Sequence, residues 1–339
     1  MRHLYVGAYT GISGGHGAGL TVLARGATDD AWQVAQVVEV DDPSFLVVGP
    51  SALHVVSETT GGRVLSWALS DGLLVGQASL AASGGAAPCH LAVDPASGGL
   101  VVANYVGGTV GVLPSTVADP VRVTRTLALP VGSGPVTGRQ EAPHAHQAVP
   151  TPRGTVLVAD LGADRLHELR VDPAGLVPEL VAVHELPAGS GPRHLDHLAD
   201  RLIVAGELDG HVHVLRHDGA RYVVEQSVPA FEGAGTHDVQ GVLLSHLAVH
   251  EGRAYVAVRG RDTISVLEPR GEGGALELVA EVPCGGAWPR HFAIVDGVLI
   301  CANQGDDTVA FLPLDPGTGV PGPAVERLAL GSPACVVAA

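Results

Sequence analysis

The 339-residue chain reads as an all-β protein, a seven-bladed β-propeller, on three observations. It holds 46 Gly and 24 Pro, about a fifth of its length, which suits many short strands and turns rather than helices. One strand–turn–strand pattern returns six times at intervals of roughly 45–55 residues, the span of a four-stranded propeller blade. The two chain ends supply the halves of a seventh copy. Joining them in one blade closes the ring and leaves no strand edge open.

The copies follow in order. Blade 1 opens at Pro43 as PSFLVVGPSALHVVSETTGGRVLSWAL, and blade 2 at Pro88 as PCHLAVDPASGGLVVANYVGGTVGVL. Blade 3 opens at His144 as HAHQAVPTPRGTVLVADLGADRLHEL, and blade 4 at Pro192 as PRHLDHLADRLIVAGELDGHVHVL. Blade 5 opens at Leu244 as LSHLAVHEGRAYVAVRGRDTISVL, and blade 6 at Pro289 as PRHFAIVDGVLICANQGDDTVAFL. For blade 7, PACVVAA from Pro333 matches a first strand, HLYVGAYTG from His3 a second and LTVLAR a third. No linker or shift in composition divides the chain, so residues 1–339 are expected as one domain. No stretch carries a helical apolar stripe. The longest irregular stretches, 114–142 and 226–243, are expected as functional loops between blades.

Composition narrows the function. With 19 basic and 35 acidic residues the net charge is −16, so nucleic acid and anionic membranes are not expected as partners. No protein partner is implied. All 19 basic residues are arginine, which excludes Schiff-base and P-loop lysine chemistry. With 3 Trp, 5 Tyr and 4 Phe, the interior must rest on Val, Leu and Ala. MRHLYVGAYT enters a strand-like run directly, and no run of 18 apolar residues follows. The expectation is a soluble, cytoplasmic protein. Cys89, Cys284, Cys301 and Cys335 lie far apart with no zinc spacing and are expected as thiols.

Aligning the copies turns sequence into rings. Early in the first strand stand Phe45, His90, His146, His194, His246, His291 and Cys335. Just past the second strand stand Tyr9, Glu58, Tyr105, Leu161, Glu207, Arg259 and Gln304. Arg193 and Arg290 adjoin the histidine ring, each in a PRH triplet. A residue type repeated in five blades fits hydrogen bonding between blades better than one active site. The charged groups can neutralise one another as an ion-pair network, or hold an anionic substrate through planar, bidentate arginine. A metal would need ligands one per blade without Asp or Cys at zinc spacing, so none is expected; the HAH doublet, His144 and His146, is the strongest local pair. The GSGP turns at Gly132 and Gly189 offer backbone amides to an anion.

The runs YVGAYTG, PSFL, SETTGG, PCHLAVDP, ANYVGGTV, RQEAPHAH, ADLGADR, GSGPRHL, RGRDTISV and PRHF/ANQGDD resemble, in order and across the whole chain, the seven-bladed propeller lactonase family. Its best-known member type is 6-phosphogluconolactonase, and a fungal 3-carboxy-cis,cis-muconate lactonizing enzyme is a relative. The resemblance implies hydrolysis of a sugar δ-lactone at the channel mouth, without a cofactor. The family's site of one His, two Arg and a Glu carries over to His144 or His146, Arg193, Arg259 and Glu207. Glu58, Tyr105, His90, His194, Arg290 and Gln304 complete the expected substrate-binding set. Val258 replaces the usual Asn before Arg259, the segment ahead of it is short, and blade 5 lacks the Pro-Ser-like start.

The expected chemistry is water attack on the ester carbonyl of a small anionic lactone. Arg193 and Arg259 would meet the oxyanion and phosphate. Glu207, tuned upward by burial, or His146, titrating near neutrality, would be the general base. Two other readings use the same residues or none: an enzyme on another lactone or a muconate-type acid, and a non-catalytic binding scaffold. The substrate's phosphate, the choice between His144 and His146, the oligomeric state and the occupant of the channel stay open.

Overall fold

The computed structural model describes residues 2–26, 31–117, 124–234 and 241–339. Apart from one isolated bridge, Leu314 to Pro321, their strands form seven four-stranded antiparallel sheets. The first strands are Phe45–Val48, Pro88–Val93, Ala145–Pro150, Pro192–Leu198, Leu243–His250, Pro289–Val295 and Pro333–Ala338. Each touches the first strand of the next blade, so together they wall the central channel. The helical content among the described residues is one 3-10 turn, Gln304–Asp306.

Each sheet packs on a neighbour at both faces, and this explains the second strands. A strand with one wet face alternates polar and apolar, whereas one covered on both faces reads as a continuous apolar run. Ala52–Ser57 and Gly99–Asn104 are buried at every position. The apolar side chains of the described residues fall into seven clusters, one per blade interface. The interface of blades 1 and 2, for example, joins Val56 and Val64 to Leu91 and Leu113. Burying each such side chain contributes about 1.5–3 kcal/mol.

The ring closes as expected. Pro333–Ala338 pairs with Arg2–Ala8, placing Leu4 opposite Ala338 and Gly7 opposite Cys335. Only glycine fits at position 7, where a Cβ would lie 1.9 Å from the Pro43 carbonyl oxygen. Aspartates in turns staple neighbouring blades. Asp164, at φ 54°, accepts from the Gly189 and Gly191 amides at 2.7 and 2.8 Å. Asp307 accepts from Ser332 N at 2.7 Å and Asp262 from Trp288 N at 2.7 Å.

The two long stretches are shorter than the sequence implied. Arg125–Ala128 is a strand inside 114–142, and Tyr222–Pro229 runs into 226–243. Residues 118–123 and 235–240 lie outside the described residues. Arg125–Ala128 is an outer, mostly exposed strand, so it carries little apolar pattern to read. The GSGP turns also differ from expectation. Asp164 already occupies the amides of Gly189 and Gly191, and Gly134 N donates to Gln140 O.

Candidate active site

The first strands share a local irregularity that builds the site. In blades 2 to 6 the ladder to the second strand slips by a β-bulge at Cys89, His146, Arg193–His194, Ser245–His246 and Arg290. A bulge inserts unpaired residues and re-aims their side chains, here into the channel. Two layers result. The lower one holds Phe45, His90, Gln147, His194, His246, His291 and Cys335, which corrects the expected ring in blade 3: Gln147 accepts there from Leu195 N as His90 accepts from Ala148 N, and the bulged His146 joins Cys89, Arg193 and Arg290 in the upper one.

The lower layer fills the channel. Phe45 lies 4.1 Å from His90 and 5.4 Å from His291 between ring centroids, and His246 stacks on His291 at 3.9 Å. His194 Nδ1 meets His246 Nδ1 at 2.8 Å, so one nitrogen of the pair carries the hydrogen. Burial holds the four histidines of this layer, and His146 of the upper one, below their ordinary pKa, His90 and His291 at about 3. They are neutral at pH 7, so the expectation that His146 titrates near neutrality is overturned.

The upper layer and the rim carry charge in two clusters. In the first, Glu207 follows the second strand of blade 4, Arg201–Gly206, and three guanidiniums surround it. Arg193 Nε lies 2.7 Å from Glu207 Oε2, too far off line for a hydrogen bond. Arg259 Nη2 lies 3.0 Å from the same oxygen, donates to the Leu244 carbonyl at 2.9 Å and stands over Trp288. Arg139 Nη2 donates to Glu207 Oε1. Burial alone would raise the Glu207 pKa, but Arg259 and Arg193, with His146 and Arg139, hold it far below the carboxylate range. The expected upward tuning therefore fails. Glu207 is a permanent anion and a weak base, suited to fixing guanidiniums.

The second cluster faces the first from blades 6, 7 and 1. The Tyr9 hydroxyl donates to Glu58 Oε2 at 2.8 Å, and Arg290 donates to the Tyr9 oxygen with its guanidinium 4.7 Å from that ring. Burial, the largest cause, raises the Tyr9 pKa, so its hydroxyl stays protonated.

The structure separates the two candidate histidines. His146 points into the channel beside Arg193, with a buried, unpartnered Nδ1. His144 lies flat on Tyr105 at 4.4 Å and 8°, its Nδ1 at 3.0 Å from the Tyr105 carbonyl. Gly162 lets that segment pack closely, since a Cβ there would fall 1.8 Å from the Ala142 carbonyl oxygen. Tyr105 stands at the rim against Arg139. His194 lines the mouth, whereas His90 lines an apolar cleft with Leu91 and Val149 toward the far ends of the first strands. His90 is therefore placed for packing, not for contact at the mouth. Gln304 opens the 3-10 turn with a buried, unpartnered Oε1 and hydrogen-bonds to neither cluster.

Two side chains join the site that sequence reading left out. Tyr9 was legible as a ring position but carries no charge. Arg139 lies in an irregular stretch, within RQEAPHAH. Its neighbour Gln140 is the anchor, donating to the Leu161 carbonyl and Asp164 Oδ1, both at 2.8 Å. Arg139 is the accessible member of its cluster, with 33% of its side chain exposed against 5% for Arg193 and 7% for Arg259.

A family profile described as "Lactonase, 7-bladed beta-propeller" matches residues 3–338. The chain belongs to this lactonase family. The 6-phosphogluconolactonase of Bacillus subtilis is 32% identical over 243 residues, 69% of this chain and 68% of the relative. The periplasmic gluconolactonase PpgL of Pseudomonas aeruginosa superposes with a TM-score of 0.87 at 28% identity, covering 99% of this chain and 98% of that one. A Lactobacillus plantarum protein, 22% identical, shares the fold at TM-score 0.87 over the whole of both chains. The lactonase is thus an enzyme by kinship, and its bulged first strands bring the charged groups together at one mouth.

Proposed function

We propose that this lactonase hydrolyses 6-phospho-D-glucono-1,5-lactone, or a closely similar phosphorylated sugar δ-lactone, to the open acid. The observation that carries this reading is the charge at the mouth. Among the described residues, Arg139, Arg193, Arg259 and Arg290 face Glu207 and Glu58, an excess of two positive charges in a chain of net charge −16. Long-range attraction for an anion is absent, so a local arginine cluster must supply it. The similarity to the Bacillus subtilis 6-phosphogluconolactonase supports the same substrate.

In this reading water attacks the lactone carbonyl while neutral His146 takes its proton. The tetrahedral oxyanion receives donors from Arg193 and Arg259, whose Nη1 and Nε respectively are buried without partners. Collapse breaks the bond to the ring oxygen, which takes the proton back from His146 and leaves as the sugar hydroxyl. Burial and the positive charges of Arg193 and Arg290 depress His146; an arriving anion offsets those charges and makes the imidazole a better base. Arg139 reaches the phosphate, and Glu207 holds the three guanidiniums in place.

The likeness to the Pseudomonas aeruginosa gluconolactonase favours a second reading, an unphosphorylated sugar lactone at the same residues. Proton release from freshly generated 6-phosphogluconolactone, against its spontaneous rate and against glucono-1,5-lactone, separates the two. Acceleration of the phosphorylated lactone well beyond the other supports the first reading. Equal acceleration supports the second, and acceleration of neither overturns both.

A further inference from the structure

Between the two charged clusters lies a cavity of about 20 Å³. It is of the size that holds one small particle. Arg193 and Arg290 face it from blades 4 and 6 and repel each other across it. Three of its lining residues carry buried polar atoms without hydrogen-bond partners: Arg193 at Nη1 and Nε, His146 at Nδ1 and Ser44 at Oγ. Their residues are 4%, 7% and 5% exposed.

The surrounding groups decide the sign of the occupant. Glu58 also lines the cavity, but its carboxylate receives the Tyr9 hydroxyl and balances Arg290. Cys89 points its thiol at the His146 carbonyl at 3.2 Å, and burial keeps that thiol protonated. Glu207 is shared among three arginines. Among the described residues the positive excess is therefore uncompensated, and an unpaired buried charge is strongly destabilising. Water would satisfy the donors but not the charge.

We propose that the resting protein holds a halide-sized monoanion in this cavity, bound by Arg193 Nη1, His146 Nδ1–H and Ser44 Oγ–H, and that the anionic substrate displaces it on entry. Chloride is the abundant ion of that size. The displacement rests on the proposed function; the anion site itself does not.

Crystals grown in sodium bromide provide the direct test. One anomalous peak between Arg193 and Arg290 is expected. Chloride-35 line broadening in solution supplies the second measurement: strong with the wild type, reduced several-fold in Ser44→Ala and abolished in Arg193→Met. Should Arg193→Met fail to fold, Ser44→Ala, which breaks no ion pair, carries the comparison. A cavity peak absent from the bromide map, broadening unchanged in Ser44→Ala, or peaks confined to the surface, an adventitious ion only, would overturn the site. Adding 6-phosphogluconate should remove the broadening. Persistence of a confirmed chloride signal in saturating 6-phosphogluconate would overturn the displacement and leave the anion site standing.

Discussion

The two layers of the channel obey different rules. The lower layer repeats one residue type, histidine in four of seven blades, and packs those rings against one another. The upper layer breaks the repeat: Ser44, Cys89, His146, Arg193, Ser245, Arg290 and Ala334 stand at equivalent places. Repetition fits what every blade needs, a filled axis. Departure from repetition marks what one face needs, charge at chosen points. His146, a histidine with an unpartnered nitrogen beside Arg193, belongs to this upper layer.

Removing the anchor of the upper layer should give the largest effect. Glu207→Gln leaves three guanidiniums without their carboxylate, and breaking such a buried network costs about 3–5 kcal/mol. We expect a large fall in melting temperature and loss of lactonase activity. A melting curve like the wild type's would show that Glu207 is no anchor.

Acid tests the lower layer. A buried histidine whose folded pKa lies below its unfolded value contributes no penalty above pH 6.5. Below that, the unfolded chain binds a proton that the folded one refuses, so stability falls as pH drops from 6.5 toward the folded pKa, about 3 for His90 and His291. At pH 5 the loss is about 2 kcal/mol per such histidine. Urea unfolding at pH 7 and pH 5 should show a steep decline. Equal midpoints at the two pH values would mean that the ring is already protonated or open.

Arg139 sharpens the comparison from the rim. Arg139→Gln should weaken kcat/KM for the phosphorylated lactone by about 10–100-fold, the scale of one charge-assisted contact, with a much smaller loss for glucono-1,5-lactone. Equal losses for both lactones would place Arg139 in support of Glu207 instead. The smallest effect is expected from His90→Phe, which copies the residue of blade 1. Steady-state turnover should stay within about 3-fold of wild type, because volume-conserving core changes are tolerated. A far larger loss of turnover would bring His90 back into the site.

The fold was legible because a blade is a repeat, and apolar second strands such as LIVAG and ICAN recur with their turns. The clusters were only half legible. Aligned copies give a residue its height in the channel, and this singled out Glu58, Glu207, Arg193, Arg259 and Arg290. They do not show which way a bulge turns it. That is why His144 and His146 could not be told apart, and why His90 was grouped with the mouth. Arg139 was hidden for another reason: it sits outside the repeat and is aimed by Gln140, a side chain that donates to two acceptors of blade 3. The sign of the Glu207 shift depends on three guanidiniums converging from separate segments, which no spacing along the chain reveals.

Ring closure has a consequence for how the molecule comes apart. Pro333–Ala338 beside Arg2–Ala8 works as a clasp, joining the first and last residues of the ring in one sheet. An open array of repeats can fray from its ends one unit at a time. A clasped ring has no end to fray from until the clasp opens, and opening it exposes two blade faces at once. Unfolding of this lactonase should therefore proceed as one cooperative event, with the seven interfaces lost together.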